Sequence, residues 1–321
     1  AKITAINTMF KAAPFSSALC AAALGSLTYC TFRKPSPCRV SAKSDDSSKR
    51  FKGKTVVITG AAGDIGSTTA KLFAKNGAQL VLVDLPVERE RLAELCSALR
   101  KEGAEGALYT VADMTKAEEV QGMTDFVMKN CSKIDCFFNN AGIQGQLRPI
   151  HDQDDNRFQE VVQVNVVGVF LGMKYVARAM IKGRNGGVIV NSASLAGMLG
   201  APNMAPYTAS KHAVIGMTKT AAKDLAPHGI RVCAVSPGLL EGKLWHSQVK
   251  GQAECLKALK GSNGPLTGED VEQTEKRMLD GTPLKRLGKL SEVASVVMFL
   301  CSDEASYLTG TVIPIDGGRL P

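Results

Sequence analysis

The chain has 321 residues, 45% of them apolar, enough for one large core and better suited to a single long α/β domain than to two small ones. Its formal charge of +9 does not mark a polyanion-binding face, because residues 1–50 hold eight Lys/Arg against two Asp and so carry +6 of it. No basic run is interleaved with aromatics, which argues against nucleic-acid binding, and nine cysteines without a C-x-x-C pair or a His/Cys cluster argue for free thiols and no metal.

Residues 1–50 contain no Asp or Glu before Asp45 and are rich in Ser, Thr, Ala and scattered Lys/Arg, the composition of an organelle-targeting leader. The apolar stretch SALCAAALGSLTYC, residues 17–30, is shorter than the about 20 residues a membrane span needs. With Met9 as a start and Lys11 as a short basic region it also reads as a signal-peptide core, and CRVSA ending at Ala42 resembles a plastid processing site. A plastid address is expected, with a mitochondrial one as the alternative and a merely disordered tail as the bland reading. No membrane association is expected once the leader is removed.

From Phe51 onward, short β-branched runs alternate with helix-period segments, the pattern of parallel strands joined by crossover helices. The strand candidates are KTVVIT (54–59), AQLVLVD (78–84), GALYTVAD (106–113), IDCFFNN (134–140), GGVIVNSA (186–193), IRVCAVS (230–236) and GTVIPID (310–316). Helices are expected to begin near Ile65, Val87, Lys116, Asp154, Tyr207 and Ser291. This predicts an α/β fold for residues 51–321: a doubly wound, seven-stranded parallel sheet, Rossmann-like, with helices on both faces and ligands beyond the carboxyl ends of the strands. Residues 239–283 break the pattern and are expected to form two helices as a lid. Trp245, Leu256, Leu259 and Met278 are its candidate pocket residues, with simple packing of the lid as the competing reading.

Two places in that framework can carry chemistry. TGAAGDIG, residues 59–66, lies between the first strand and first helix, where backbone N–H groups at a helix N-terminus can hold a pyrophosphate. Gly60 and Gly66 keep the glycine places and Asp64 occupies one. Asp tolerates a left-handed backbone and suits a helix N-terminus, so the turn can form if the carboxylate points away from the phosphates. Eighteen residues beyond Gly66, Asp84 ends the second strand, where a carboxylate accepts both ribose hydroxyls; this favours NAD over NADP. Further on, Tyr207 and Lys211 in YTASK are four apart on one helix face, so an ammonium beside the phenol should pull its pKa from about 10 toward neutrality. His246 reads as a surface histidine, because Tyr207 and Lys211 already supply acid/base function.

Those two places stand among further blocks: NNAG (139–142), VNVVGVFLGMKY around Asn165, VNSAS with Ser194, SPG (236–238) and GTVIPIDGG near the end. Taken together, residues 51–321 resemble the single-domain short-chain dehydrogenase/reductase family. The resemblance implies that Ser194 polarises the substrate oxygen, Tyr207 is the general acid/base, Lys211 binds the nicotinamide ribose and Asn165 holds a proton-relay water. It implies a cofactor site built from Gly60, Asp64, Ile65, Gly66, Asp84, Asp113, Asn140, Ala141, Gly142, Tyr207, Lys211, Pro237, Gly238 and Leu240. Asn139 and Asn140 also read as stabilisers of the central sheet. Two departures stand out: Asp64 replaces the second glycine of the turn, and Gly242 stands where the family often has a threonine touching the nicotinamide carboxamide. Gly63 occupies a place that many NADP-dependent relatives give to arginine.

The expected function is hydride transfer between NAD and a secondary alcohol or ketone, cyclic or bulky, in a homo-oligomer (dimer or tetramer). Gln144 and Gln146, after NNAG, are candidates to reach a polar substituent. The alternatives are an organellar 3-oxoacyl-carrier reductase using NADPH and a non-catalytic dinucleotide-binding subunit.

Overall fold

The computed structural model describes residues 49–262 and 264–320, all within one compact unit, Asp46–Pro321. The leader expectation falls almost wholly on residues outside this set.

Seven strands form one sheet: β1 (Thr55–Thr59), β2 (Gln79–Asp84), β3 (Gly106–Val111), β4 (Cys136–Asn139), β5 (Gly187–Ser192), β6 (Ile230–Pro237) and β7 (Val312–Ile315). Their order is β3-β2-β1-β4-β5-β6-β7, with every pairing parallel. Each strand core is a run of β-branched or large apolar residues because helices cover both faces. Val56, Ile58, Leu80 and Leu82 point to one face, under α1 (Asp64–Lys75), α2 (Arg89–Lys101) and α9 (Leu290–Cys301). Val57, Val81 and Val83 point to the other, under α3 (Ala117–Cys131), α5 (Val169–Gly183) and α6 (Ala205–Leu225). All seven expected strands and both helical layers are therefore present.

The helix expected from Asp154 is not one regular helix. Asp154 caps α4 (Asp155–Val162) by accepting from Arg157 N at 3.0 Å, and a π-helical turn, Gln163–Gly168, then leads into α5. The extra residue of that turn is a local feature that hydrophobic periodicity does not signal. The lid segment forms two helices as expected, α7 (Lys243–Leu259) and α8 (Gly268–Asp280).

The strand order runs outward in opposite directions from β1 and β4, so a crevice opens where the loops leaving their carboxyl ends diverge. Gly60 follows β1 and Asn140 follows β4, which puts the glycine turn and NNAG on the two sides of that crevice.

Candidate active site

The glycine turn is pinned by close approach. Gly60 has φ +62°, and a Cβ there would meet Ala141 Cα and Asn140 Nδ2 at 3.0 Å; a Cβ on Gly66 would lie 2.2 Å from the Gly60 carbonyl oxygen. Thr59 Oγ1 accepts from Asn140 N at 2.9 Å and Ala141 N at 3.1 Å, while Asn140 Nδ2 donates to Thr59 O at 3.0 Å, so β1 and β4 are stitched at their ends. Asn139 donates to Asn191 Oδ1 at 3.2 Å and to Val169 O at 2.9 Å, confirming the sheet-stabilising reading of both asparagines.

At the start of α1, Gly63 offers no side-chain cap, leaving the first-turn amides of Asp64, Ile65 and Gly66 for an anion. Asp84 stands beside them: its Oδ2 accepts from Ala62 N at 2.9 Å and its Oδ1 from Leu85 N at 2.9 Å, and each oxygen keeps a lone pair for a further donor. Asp113, just past the end of β3, is held by Thr115 N and Oγ1 at 3.0 and 2.7 Å. Burial pushes the Asp113 carboxyl up, but the Thr115 hydrogen bonds and the Lys116 charge outweigh it, so the group stays ionised below its ordinary range. Pro237 ends β6, Gly238 N donates to Ile315 O at 2.9 Å, and a Cβ on Gly238 would lie 2.9 Å from Asp316 Cα. Leu240 bridges to Gly288 beyond the same strand end. A cradle of obligatory glycines, an uncapped helix start and a carboxylate at the tip of β2 together fit a dinucleotide.

Asp64 behaves differently from a cap of its own helix. It is the first residue of α1, and its Oδ2 accepts from Lys243 N, the first amide of α7, at 2.9 Å. The carboxylate does lean away from the first turn of α1, but toward the lid.

The chemical group gathers at the carboxyl ends of β4 and β5. Ser194 opens a short 3-10 turn, Leu195–Gly197, accepting from Ala196 N at 3.2 Å. Tyr207 and Lys211 lie one turn apart in α6, with Lys211 Nζ 5.5 Å from the centroid of the phenol ring. Lys211 is only 4% exposed and donates to Ser192 O at 2.7 Å. Gly142 lies between: a Cβ there would sit 3.0 Å from Asn165 Oδ1 and 3.5 Å from Lys211 Nζ. Asn165, in the π-helical turn, accepts from Ile143 N at 2.8 Å and donates to Ile143 O at 2.8 Å and Ser210 Oγ at 3.0 Å. Ser210 Oγ in turn donates to Tyr207 O at 2.7 Å, tying Asn165 to the tyrosine's own turn. Asn165 thus clamps the segment after NNAG, a use that its isolated position in the sequence does not reveal.

The tyrosine is not pulled toward neutrality as the Lys211 spacing suggested. Burial holds the phenol above its ordinary pKa of 10.0, and the Ser194 hydrogen bond alone works against it. The same burial lowers Lys211 to about 8, because a buried ammonium costs more than a buried amine. With its ammonium directed at Ser192 O, Lys211 gives the phenol little compensating charge.

The lid residues divide. Trp245 is buried and its Nε1 donates to Glu275 Oε1 of α8 at 3.2 Å, so it holds the two lid helices together. Leu259 is 72% exposed and is no pocket residue. Leu256 is half-buried among Ala253, Asp270 and Thr274 between α7 and α8, Met278 is half-buried and His246 is exposed. Gln144 Nε2 is buried with no partner among the described residues, whereas Gln146 is exposed. Ser210, Ile143 and Lys243 were not singled out from the sequence; Ser210 alone had a signal, its place inside YTASK. Cysteines 96, 131, 136, 233, 255 and 301 are buried free thiols, with Cys96 pushed by burial to about 11, and no metal-binding cluster occurs among the described residues.

A doubly wound sheet with a glycine cradle at its switch point, and half-buried Ser194 and Tyr207 beside a buried Lys211, defines a dinucleotide-binding oxidoreductase. The chain belongs to the short-chain dehydrogenase/reductase family: a family profile described as short chain dehydrogenase matches residues 54–253, and one described as enoyl-(acyl carrier protein) reductase matches residues 263–319. It is 36% identical over 270 residues to levodione reductase of Leifsonia aquatica, covering 84% of this chain and 95% of the relative. It is 38% identical over 270 residues to a 3-oxoacyl-(acyl-carrier-protein) reductase of Thermotoga maritima, covering 84% and 98%. The solved structure of NAD+-bound xylitol dehydrogenase superposes with a TM-score of 0.78 at 40% identity, covering 84% of this chain and all of that one.

Proposed function

We propose that the chain is an NAD-dependent oxidoreductase acting on a bulky or cyclic secondary alcohol or ketone, with Ser194, Tyr207, Lys211 and Asn165 as its working group. The observation that carries this reading is the grouping of Tyr207 with Ser194 and Lys211, with Lys211 Nζ and Asn165 Oδ1 closing on Gly142 at the switch-point crevice. The bound nicotinamide supplies or accepts a hydride at the carbinol carbon. Ser194 holds the substrate oxygen through its hydroxyl, and Tyr207 exchanges the hydroxyl proton: it gives the proton to a ketone oxygen as the alcohol forms and takes it back in the reverse direction. Lys211, one of whose ammonium protons goes to Ser192 O, has further donors that would hold the nicotinamide ribose, and its charge would offset the cost of the phenolate. Asn165 keeps Ile143 and Ser210 fixed, so that the floor of the crevice and the tyrosine turn move as one piece; a relay water would use its remaining oxygen lone pair.

NAD rather than NADP is supported by Asp84, whose charge would face a 2′-phosphate, and by Gly63, which brings no cation. The 38% identity to a 3-oxoacyl-(acyl-carrier-protein) reductase supports the acyl-carrier alternative, and Arg91, which donates to Ala62 O at 2.7 Å beside the amide from which Asp84 accepts, is a cation in reach of a 2′-phosphate there. Arg91 is also paired with Glu88 at 2.8 Å, which leaves its charge offset. Turnover assays with NAD and NADP against cyclic alcohols, steroids and acyl ketones decide between them: a tenfold or greater preference for NADP refutes the NAD reading, and no turnover with any pair leaves the non-catalytic subunit.

The same proposal places the mature protein in the plastid as a homo-oligomer. Phe158 (43% exposed) and Phe170 (49% exposed), on consecutive helices of one face, support association there. Light scattering that finds a monomer at micromolar concentration refutes it, and a leader fusion to a fluorescent protein that stays outside plastids refutes the address.

A further inference from the structure

Both departures from the family pattern meet at one contact. Asp64 Oδ2 accepts from Lys243 N at 2.9 Å, and the same oxygen lies 2.6 Å from where a Cβ on Gly242 would be. Gly242 has φ +125°, a backbone region that side chains rarely adopt. The contact of the Asp64 carboxylate therefore requires a bare backbone at 242: a side chain there would displace the carboxylate from the first amide of α7.

The topology gives this contact a span. Asp64 follows β1 and Lys243 follows β6, and β4 and β5 lie between them in the sheet. At the usual strand spacing this puts the two lips about 14 Å apart at the sheet. The loops that join across that gap arch over the carboxyl ends of β4 and β5, where Gly142 and Ser194 sit. Elsewhere α7 is tied to the substrate side: Asn203 Nδ2 donates to Gln252 Oε1 at 2.9 Å, Gln252 Nε2 to Pro202 O at 3.0 Å, and Cys255 Sγ to Leu147 O at 3.5 Å. Among the described residues, Asp64 is the side chain that fastens α7 to the glycine turn.

We propose that Asp64 is a positioning residue that latches the lid helix α7 across the crevice, and that the latch opens for dinucleotide entry and exit. The second half rests on the dinucleotide reading above; the first does not. A carboxylate oxygen at the first amide of a helix does the work of a cap, so an amide oxygen at the same place should do it too.

The test is amide exchange over residues 243–259 of the full, cofactor-free chain, for the wild type, Asp64→Asn, Asp64→Ala and Gly242→Ala. Asp64→Ala should speed exchange in the first turn of α7 about fivefold or more, Gly242→Ala should do the same from the opposite lip, and Asp64→Asn should stay within about twofold of the wild type. The NADH dissociation rate, followed by stopped-flow fluorescence, should rise in Asp64→Ala and not in Asp64→Asn. Exchange in Asp64→Ala equal to wild type overturns the latch, as does Asp64→Asn behaving like Asp64→Ala. Failure of all four proteins to bind NADH refutes the dinucleotide reading and the gating half, while the exchange comparison still decides the latch.

Discussion

Lys211 offers a quantitative check on the electrostatics of the site, because it is buried in the folded chain and hydrated in the unfolded one. Its pKa falls from 10.5 to about 8 on folding. The unfolded chain therefore binds more protons between those values, and stability contributed by this group rises with pH across that window. Below pH 8 the folded state bears the full cost of the buried ammonium, and above 10.5 it bears none. At 1.36 kcal/mol per pKa unit the swing is about 3 kcal/mol. Lys211→Met removes the titration while keeping an unbranched chain of similar length, although it leaves Ser192 O without its donor. The lost hydrogen bond shifts stability by a constant, so the pH dependence of the difference isolates the charge. Urea unfolding of both cofactor-free proteins from pH 7 to 11 should show the wild type gaining on Lys211→Met by about 3 kcal/mol, most of it between pH 8 and 10.5. A difference that stays flat over that range would mean the ammonium is solvated in the folded protein, and the burial cited for both Lys211 and Tyr207 would be wrong.

Tyr207→Phe should bind NADH as the wild type does and lose turnover by at least about 100-fold; calorimetric titration and steady-state rates check the two halves, and retention of a tenth of kcat removes Tyr207 as the acid/base. Asp84→Asn removes the charge that faces a 2′-phosphate and should raise the NADP/NAD ratio of kcat/KM about tenfold, or about 1.4 kcal/mol; an unchanged ratio means specificity is set elsewhere. Gly66→Ala forces a Cβ to 2.2 Å from the Gly60 carbonyl and should cost about 2–3 kcal/mol in thermal unfolding and abolish NADH binding, whereas an unaltered titration would show the turn to be plastic.

The sheet was legible because strands buried on both faces cannot alternate: VVIT and LVLVD read as continuous apolar runs, closed by Gly60 after the first and by Pro86 shortly after the second. The Tyr207 and Lys211 pair was legible from helical spacing, which survives translation into structure because four residues return to the same face. The state of that pair was not, since a pKa depends on burial and on where an ammonium turns, and Lys211 turns to Ser192. Nor was the partner of Asp64, which lies 179 residues away and meets it only where the loops leaving β1 and β6 join across the crevice. Leu259 was misjudged because an apolar residue at the end of a helix has the same periodicity whether that helix end packs or projects.

The π-helical turn at Gln163–Gly168 separates what natural selection could reward. A turn with one surplus residue is a poorer helix than its neighbours, and removing that residue would let α4 and α5 fuse into a single regular rod. The fused rod would carry α5 about 100° around its axis relative to Asn165, since each residue advances an α-helix by that angle. Asn165 would then release Ile143 and Ser210, and with them the floor of the crevice. A library screened for thermal tolerance alone would enrich such single-residue deletions, and a library screened for turnover would purge them. At this one turn the chain keeps a less regular helix, and the irregularity is what its chemistry is anchored to.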